Sequence, residues 1–511
     1  MKPFPLLLIG ALACALMHAA TPEECASTVV VYNVNDRDGK SLADFYCQAR
    51  GIDPSRQIPL MTSTNEEISR SDYDSTLAGP LRDLFVSRGY WSVTRDMMNH
   101  PIIVASSVRY VALIRGIPLK IRQETSPYPG DGVAQPPPYG GINAASVDSE
   151  IAVLGLFTPQ ISGILGNPMA GAAPGAPVPP WLLMVSRLDA SSAEEVRVLI
   201  SSTMRAEREG LRGWGYIDLR STREKGYVLG EAWITRAWEA MNRSGIPVIA
   251  DDLPETLQAG FPVTDAAAYY GWYAENLDGP FAERDFRFVP GAVAVHLHSF
   301  SASTLRSRTR GWAAPLISLG ACASLGNVYE PYLPFTADLG KFCESLLGGM
   351  TLAESHVRSL SALSWMNVCL GDPLYRPYAW FFRERGEGGD SWSSYRSIIL
   401  AHGGDVLASA GDLERLSRSV GTPMPLEALG NALLARGLQE KAGIAFREAL
   451  GLAKEKRIRF RLLIEECRCL ERLHETKEAL SDLDQAGREA VTPPEKNLLS
   501  IWRERLRHSD R

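Results

Sequence analysis

Histidine, serine and cysteine are concentrated between residues 296 and 324. The run Val295-His296-Leu297-His298-Ser299-Phe300-Ser301 is followed by Cys322-Ala323-Ser324. An imidazole within reach of a hydroxyl or thiol can take its proton and leave a nucleophile. His298 with Ser299 or Cys322 is therefore a candidate hydrolytic pair. An H-x-H pair on a strand turns both imidazoles to one face. With a carboxylate such as Asp189 or Asp218, His296 and His298 give a second candidate, a metal-dependent hydrolase. The same histidines also fit a structural role, buried and satisfied by hydrogen bonds. Ser324 lacks the first glycine of a Gly-x-Ser-x-Gly elbow. The chain has no Walker loop, and no Gly-x-Gly-x-x-Gly follows a strand-like run. Nucleotide hydrolysis and dinucleotide binding are thus disfavoured, and no cofactor is expected.

Carboxylates form the second set. Asp148, Glu150, Asp189, Asp218, Asp252 and Glu330 could serve acid–base work on a glycoside, but their spacing selects no pair. Gly371-Asp372-Pro373-Leu374-Tyr375-Arg376 reads as a turn that closes a domain, with Arg376 placed to pair Asp372.

The elements that would carry these residues are short apolar runs alternating with helix-like segments. The runs are Val29–Val34, Tyr110–Ile114, Trp181–Val185, Gly215–Ile217, Ile246–Ile249, Ala267–Tyr270 and Ala292–Leu297, with another beginning at Leu316–Leu319. They are too apolar for half-solvated strands and fit a parallel sheet covered on both faces. Ser191 and Ser192 precede Glu194 and Glu195, a doubled capping-box pattern that starts a helix just after Asp189. The expected fold is α/β, a doubly wound and mainly parallel sheet, with ligands bound at the carboxyl ends of strands. Two Pro/Gly-rich loops, 126–141 and 163–180, interrupt it, and loops of that length suit covering a site.

The chain has 511 residues and a formal charge of −6, from 53 basic and 59 acidic residues. That balance argues against the broad basic face of a nucleic-acid binder. Residues 1–20 combine Lys2, an apolar run from Phe4 to Met17 and small residues before Thr21, the pattern of a secretory signal peptide. Cys14 offers only a poor lipidation box, and no later stretch is apolar enough to span a bilayer. An exported, periplasmic or extracellular protein is expected. Cleavage would leave seven cysteines, an odd number; Cys25 with Cys47 is the first pair to test for a disulfide, and buried thiols are expected for most of the rest.

The composition shifts at Arg383–Ser394, so residues 383–399 read as a linker between a 21–382 α/β domain and a helical region from 400 to 511. In that region Ala442, Phe446 and Ala449 recur 37 positions later as Ala479, Leu483 and Ala486. This resembles tetratricopeptide hairpins, whose small residues let paired helices approach closely. Two such units seldom stand alone, so the tail should pack on the main domain or on a partner.

Several separated motifs appear in order: Arg115-Gly116-Ile117-Pro118-Leu119, Ser146-Val147-Asp148-Ser149-Glu150, Ser186-Arg187-Leu188-Asp189, Gly271-Trp272-Tyr273, His296–Ala302, Glu330-Pro331-Tyr332 and Gly371–Tyr375. Together, over about residues 27–380, they resemble an uncharacterised family of exported bacterial proteins found in genomes with exosortase, the sorting system for PEP-CTERM proteins. A more distant resemblance is to the caspase-like fold of gingipain-type peptidases. There a strand ending in Gly-His-Gly carries the base, and a later strand ends in the nucleophilic cysteine. Tyr270-Gly271-Trp272-Tyr273 and His298-Ser299 occupy those places here, and Gly371-Asp372-Pro373 matches the domain end. The resemblance implies Trp272 in place of the base and Ser299 in place of the nucleophile, and an indole accepts no proton. In another register His298 would be the base and Cys322 the nucleophile.

The function expected from these features is binding of a protein or glycan partner in a cell-surface or protein-sorting context. Trp272, Asp148, Glu150, Arg187, Asp189, Asp218, His296 and Glu330 would form the binding site, and the helical tail would be a docking surface. The alternatives are a peptidase-like hydrolase using His298 with Cys322 or Ser299, and a metal-dependent hydrolase using His296 and His298.

Overall fold

Ten short segments pair edge to edge into one sheet in the computed structural model, which describes residues 20–124, 142–157, 163–382 and 390–509. The strands are β1 (Thr28–Asn33), β2 (Gln57–Leu60), β3 (Tyr110–Ile114), β4 (Met184–Leu188), β5 (Trp214–Asp218), β6 (Val248–Asp251), β7 (Ala266–Gly271), β8 (Val293–His296), β9 (Ala323–Asn327) and β10 (Asn367–Gly371). Their spatial order is β6-β5-β7-β8-β9-β10-β4-β3-β1-β2. Eight of the ten are buried along their whole length, and the two exceptions, β2 and β6, are the edge strands. Alternate side chains point to opposite faces, so full burial means that both faces are covered. That is why the sequence shows apolar runs rather than alternation.

Every pairing is parallel except one. β9 and β10 run antiparallel, with Ala323 opposite Gly371 and Asn327 opposite Asn367. The sheet is thus two five-stranded parallel halves pointing in opposite directions, and the carboxyl ends of one half lie at the edge opposite those of the other.

The main helices of this α/β layer are α1 (Gly39–Arg50), α2 (Val147–Ala152), α3 (Ala193–Glu209), α4 (Val228–Arg243), α5 (Ala313–Ser318), α6 (Leu339–Leu347) and α7 (Leu352–Ser359). Helix α3 starts where the capping pattern places it: the Ser192 side chain accepts from the Glu195 amide, and Ser191 donates to the Glu195 carboxylate. The run Leu316–Leu319, expected to open a strand, instead falls mostly in α5. It is a short helix buried nearly all round, and in so short a span apolar content cannot separate the two. The strand follows at Ala323.

Seven helices make up the tail: α8 (Ser391–Ala401), α9 (Ala410–Val420), α10 (Met424–Ala435), α11 (Gln439–Leu452), α12 (Lys456–Arg472), α13 (Thr476–Glu489) and α14 (Pro493–Ser509). The 383–399 stretch read as a linker therefore holds most of α8, which Asp390 caps through the Ser393 amide. Ala442, Phe446 and Ala449 on α11, and Ala479, Leu483 and Ala486 on α13, are all fully buried, as the 37-residue recurrence requires. The tail shares the sheet's apolar core through residues such as Tyr395, Met424 and Phe460, and arginines add polar ties. Arg461 of α12, only 1% exposed, bonds Glu427 through Nε and Nη2 at 2.6 and 3.0 Å, and it also donates to Tyr216 Oη, the Pro262 carbonyl and Thr264. Arg468 bonds Asp252 beyond β6, and Arg472 joins it.

Three further expectations are settled here. The seven cysteines of the described residues are buried free thiols, and Cys25 donates to the Arg50 carbonyl instead of pairing with Cys47. Asp372 does not pair with Arg376; it accepts from Arg50 and Tyr46, while Arg376 pairs with Glu24. The turn faces its aspartate inward, towards α1, where Arg50 is already buried beside Glu207. Residues 1–19, the 126–141 loop and residues 383–389 lie outside the described residues. No described helix is long and apolar enough to cross a membrane.

Removing Arg461 leaves Glu427 buried without its counter-charge. Arg461→Ala is expected to cost about 3–5 kcal/mol in urea unfolding. The double variant Arg461→Met/Glu427→Leu should recover most of that loss.

Candidate functional site

The reversal in strand direction sorts the expected site residues into two groups. At the carboxyl ends of β3 and β4, Arg187 is a fully buried hub. Its Nε donates to both oxygens of Asp148 at 3.0 and 3.1 Å, and Nη1 lies 3.2 Å from Asp189. The Ile117 and Pro118 carbonyls take two more of its N–H groups. Arg306, from the segment after β8, closes the group with bonds to Asp189 at 2.6 and 3.2 Å. Glu150 is engaged separately, by Arg70 and by Ser364 at 2.8 Å. With every carboxylate held by an arginine, none is placed to move a proton. Asp148, Arg187 and Asp189, expected from the sequence to bind a ligand, form a buried ion cluster.

His296 ends β8 in the other half. Its Nε2 accepts from the Ala274 amide at 2.9 Å, so the ring proton is on Nδ1. Nδ1–H donates to Tyr269 Oη at 2.8 Å, and Tyr269 donates to Asp218 at 2.9 Å. The Trp312 ring stacks on the imidazole at 3.6 Å. Burial holds His296 well below its ordinary pKa, and burial with the nearby Asp251 charge pushes Asp218 well above its own. Both ring nitrogens are committed, so His296 has none to offer a metal. The described residues contain no cluster of three or more histidine, cysteine or acidic side chains that could hold one. Of the readings open to this histidine, the structural one fits.

Cys322 and His298 are not neighbours. The Cys322 amide donates to the Ala292 carbonyl at the amino end of β8, whereas His298 lies beyond its carboxyl end. At ~3.3 Å per residue, Ala292 and His296 alone are roughly 13 Å apart. The Cys322 thiol is fully buried, its pKa pushed up to about 11 by that burial, the opposite of an activated nucleophile. Trp272 is equally buried. Its indole donates to Glu231 at 2.9 Å, and a side chain at Gly230 would run into its ring. It is part of the core rather than a binding surface.

What remains accessible is a shelf at the carboxyl ends of β7, β8 and β9. His298 is half-buried and lies 4.3 Å from the Tyr273 ring, which in turn packs edge-on to Tyr227 at 5.5 Å. His298 Nδ1–H donates to the Ser299 carbonyl, so in the neutral ring Nε2 is left as an acceptor without a partner among the described residues. The Ser299 hydroxyl makes no hydrogen bond to an imidazole among the described residues. Phe300 is 46% exposed at φ 58°, and its amide bonds the Tyr329 carbonyl. Arg220 holds the Tyr273 carbonyl, and Glu330 is exposed at the rim, accepting from the Tyr332 amide. Val228 and Leu229, both exposed, extend the apolar surface beside Tyr227. Tyr227 and Tyr273 were not singled out in the sequence. Tyr273 lies inside Gly271-Trp272-Tyr273, beside the tryptophan that stands in the place of the base.

Comparison with protein-family models, curated proteins and solved structures gives no significant match. The site is therefore read from its own chemistry.

Two buried histidines set a pH dependence. His356 is held at about 4 by burial, and His296 is also depressed. Between about pH 6.5 and 4 the unfolded chain binds protons that the folded chain refuses, so stability is lost as pH falls through that window. His356→Gln should flatten the fall in melting temperature between pH 6.5 and 4 by about one proton's worth, with little change above pH 7.

Proposed function

We propose that the protein is an exported binding protein whose aromatic shelf around Tyr227, Tyr273, His298 and Phe300 takes a protein or glycan partner. The observation that carries this reading is the absence, among the described residues, of any nucleophile–base hydrogen bond at the one place where His298 and Ser299 are accessible. His298 turns its Nδ1–H to the Ser299 carbonyl, which leaves a surface of aromatic faces edged by Arg220 and Glu330. Such faces stack on the apolar side of a sugar ring or on an aliphatic side chain, while the rim supplies hydrogen bonds. The signal-like amino terminus and the resemblance to exported bacterial proteins support a cell-surface or sorting context. The caspase-like resemblance is consistent with this reading, since the place of its base is taken by a buried indole.

A peptidase-like hydrolase is the second reading, and the uncommitted Nε2 of His298 beside Ser299 is what favours it. Of the two forms of that reading, the one using Cys322 is disfavoured by its separation from His298, which leaves the one using Ser299.

A glycan array and a peptide library probed with the full-length secreted chain test the proposal. The double variant Tyr273→Ala/Phe300→Ala should lose at least tenfold in affinity for whatever the wild type retains, with an unchanged melting temperature. Retained ligands bound equally by the double variant would place the binding surface elsewhere.

A further inference from the structure

Burying a guanidinium without a counter-charge is costly, and this chain almost always avoids it. Among the described residues, Arg50, Arg70, Arg187, Arg376, Arg461 and Arg468 are buried, and each meets at least one carboxylate within 4 Å. Arg358 is the exception. It is 5% exposed in the last turn of α7, and its guanidinium has no carboxylate and no hydrogen-bond partner among the described residues, with Nε and Nη1 both buried and unsatisfied. A cation near a helix carboxyl end is favoured by the helix dipole, which accounts for the sign of the charge but leaves the N–H groups unmet.

Arg358 lines an open cleft of about 410 Å³ between α4, α6, α7 and the Gly171–Pro174 segment. Arg236 and Lys341 line the same cleft; they share Asp338, at 3.0 and 3.8 Å, which leaves Arg358 as the cation with nothing to answer it. Glu344 stands on its wall, 3.7 Å from Arg243. Gly171 donates its amide to the Arg358 carbonyl, which holds the Gly171–Pro174 segment against the end of α7. The volume is that of a small-molecule site.

We infer that this cleft is an oxyanion site, built to take the phosphate group of a small phosphorylated molecule, with Arg358 as the principal ligand and Lys341 and Arg236 at its mouth. Of the three guanidinium nitrogens, Nη2 is the one not sealed from solvent, and a phosphate oxygen in the cleft would give it a charge-assisted acceptor and the guanidinium its counter-charge. The cleft is formed by different residues from the aromatic shelf, and the inference does not depend on the shelf's role.

The test uses the full chain, titrated with inorganic phosphate, a hexose phosphate and, as an ionic-strength control, chloride. Phosphate and the hexose phosphate should raise the melting temperature saturably where chloride does not. A free-ion site would bind inorganic phosphate as well as the ester, and an ester site would favour the ester. Arg358→Met should reduce affinity by roughly 30-fold or more while melting no lower than the wild type, because it removes an unpaired buried charge. Lys341→Ala, at a half-exposed position, should weaken binding with the fold intact. No saturable response of the wild type to either phosphate compound would overturn the inference, and so would an undiminished response in Arg358→Met.

Discussion

A guanidinium removed from water must be met by carboxylates and carbonyls, and in this protein those partners come from far along the chain. Arg50 at the end of α1 is answered by Glu207 of α3 and by Asp372 just after β10. Arg187 of β4 gathers the 117–118 turn, Asp148 of α2 and Asp189. Arg461 ties the helical tail to Tyr216 and Thr264 beside the sheet. Removing one member of such a group leaves the others buried and unpaired, so each group enforces the packing around it. Hydrophobic burial drives the collapse of the ten strands, while these ionic clamps select which helix sits where. Arg358 stands out against that pattern because it meets no carboxylate among the described residues.

The second governing feature is the reversal between β9 and β10. In a wholly parallel sheet all strand carboxyl ends share one edge, and the polar residues at those ends would converge on one site. Here the reversal sends Arg187 and Asp189 to one edge, and Asp218, His296 and His298 to the other. It also puts Cys322 at the amino end of the strand that carries His296. The residues that look like a single catalytic constellation in the sequence thus resolve into an ion cluster, a buried Asp–Tyr–His chain and an aromatic shelf.

Much of the layer architecture was legible in the sequence, because strands buried on both faces must be apolar throughout, as Val29–Val31 and Ala267–Tyr270 are. The start of α3 was legible because Ser191, Ser192 and Glu195 satisfy amides locally. The edge strand β2 was not, since Gln57 and Pro59 interrupt its apolar run, and α5 reads like a buried strand because its buried surface runs all round. The strand reversal left no local trace, since direction is set by contacts between Ala323–Asn327 and Asn367–Gly371, some forty residues apart. The site suffered for that reason. His298 and Ser299 could be named from composition, whereas their neighbours Tyr273 and Tyr227 arrive from other elements. Arg358 gave no signal, because an arginine in a helix looks solvated until its surroundings are known.

The choice between a binding surface and a catalytic one is tested most directly by covalent labelling of the folded protein. A fluorophosphonate probe for activated serines and an iodoacetamide probe for activated thiols would each be followed by peptide mass spectrometry. A binding shelf gives no fluorophosphonate adduct at Ser299 and no rapid alkylation of Cys322 in the native state. Stoichiometric labelling of Ser299 that disappears in His298→Ala would contradict it, and would establish a serine nucleophile activated by that histidine.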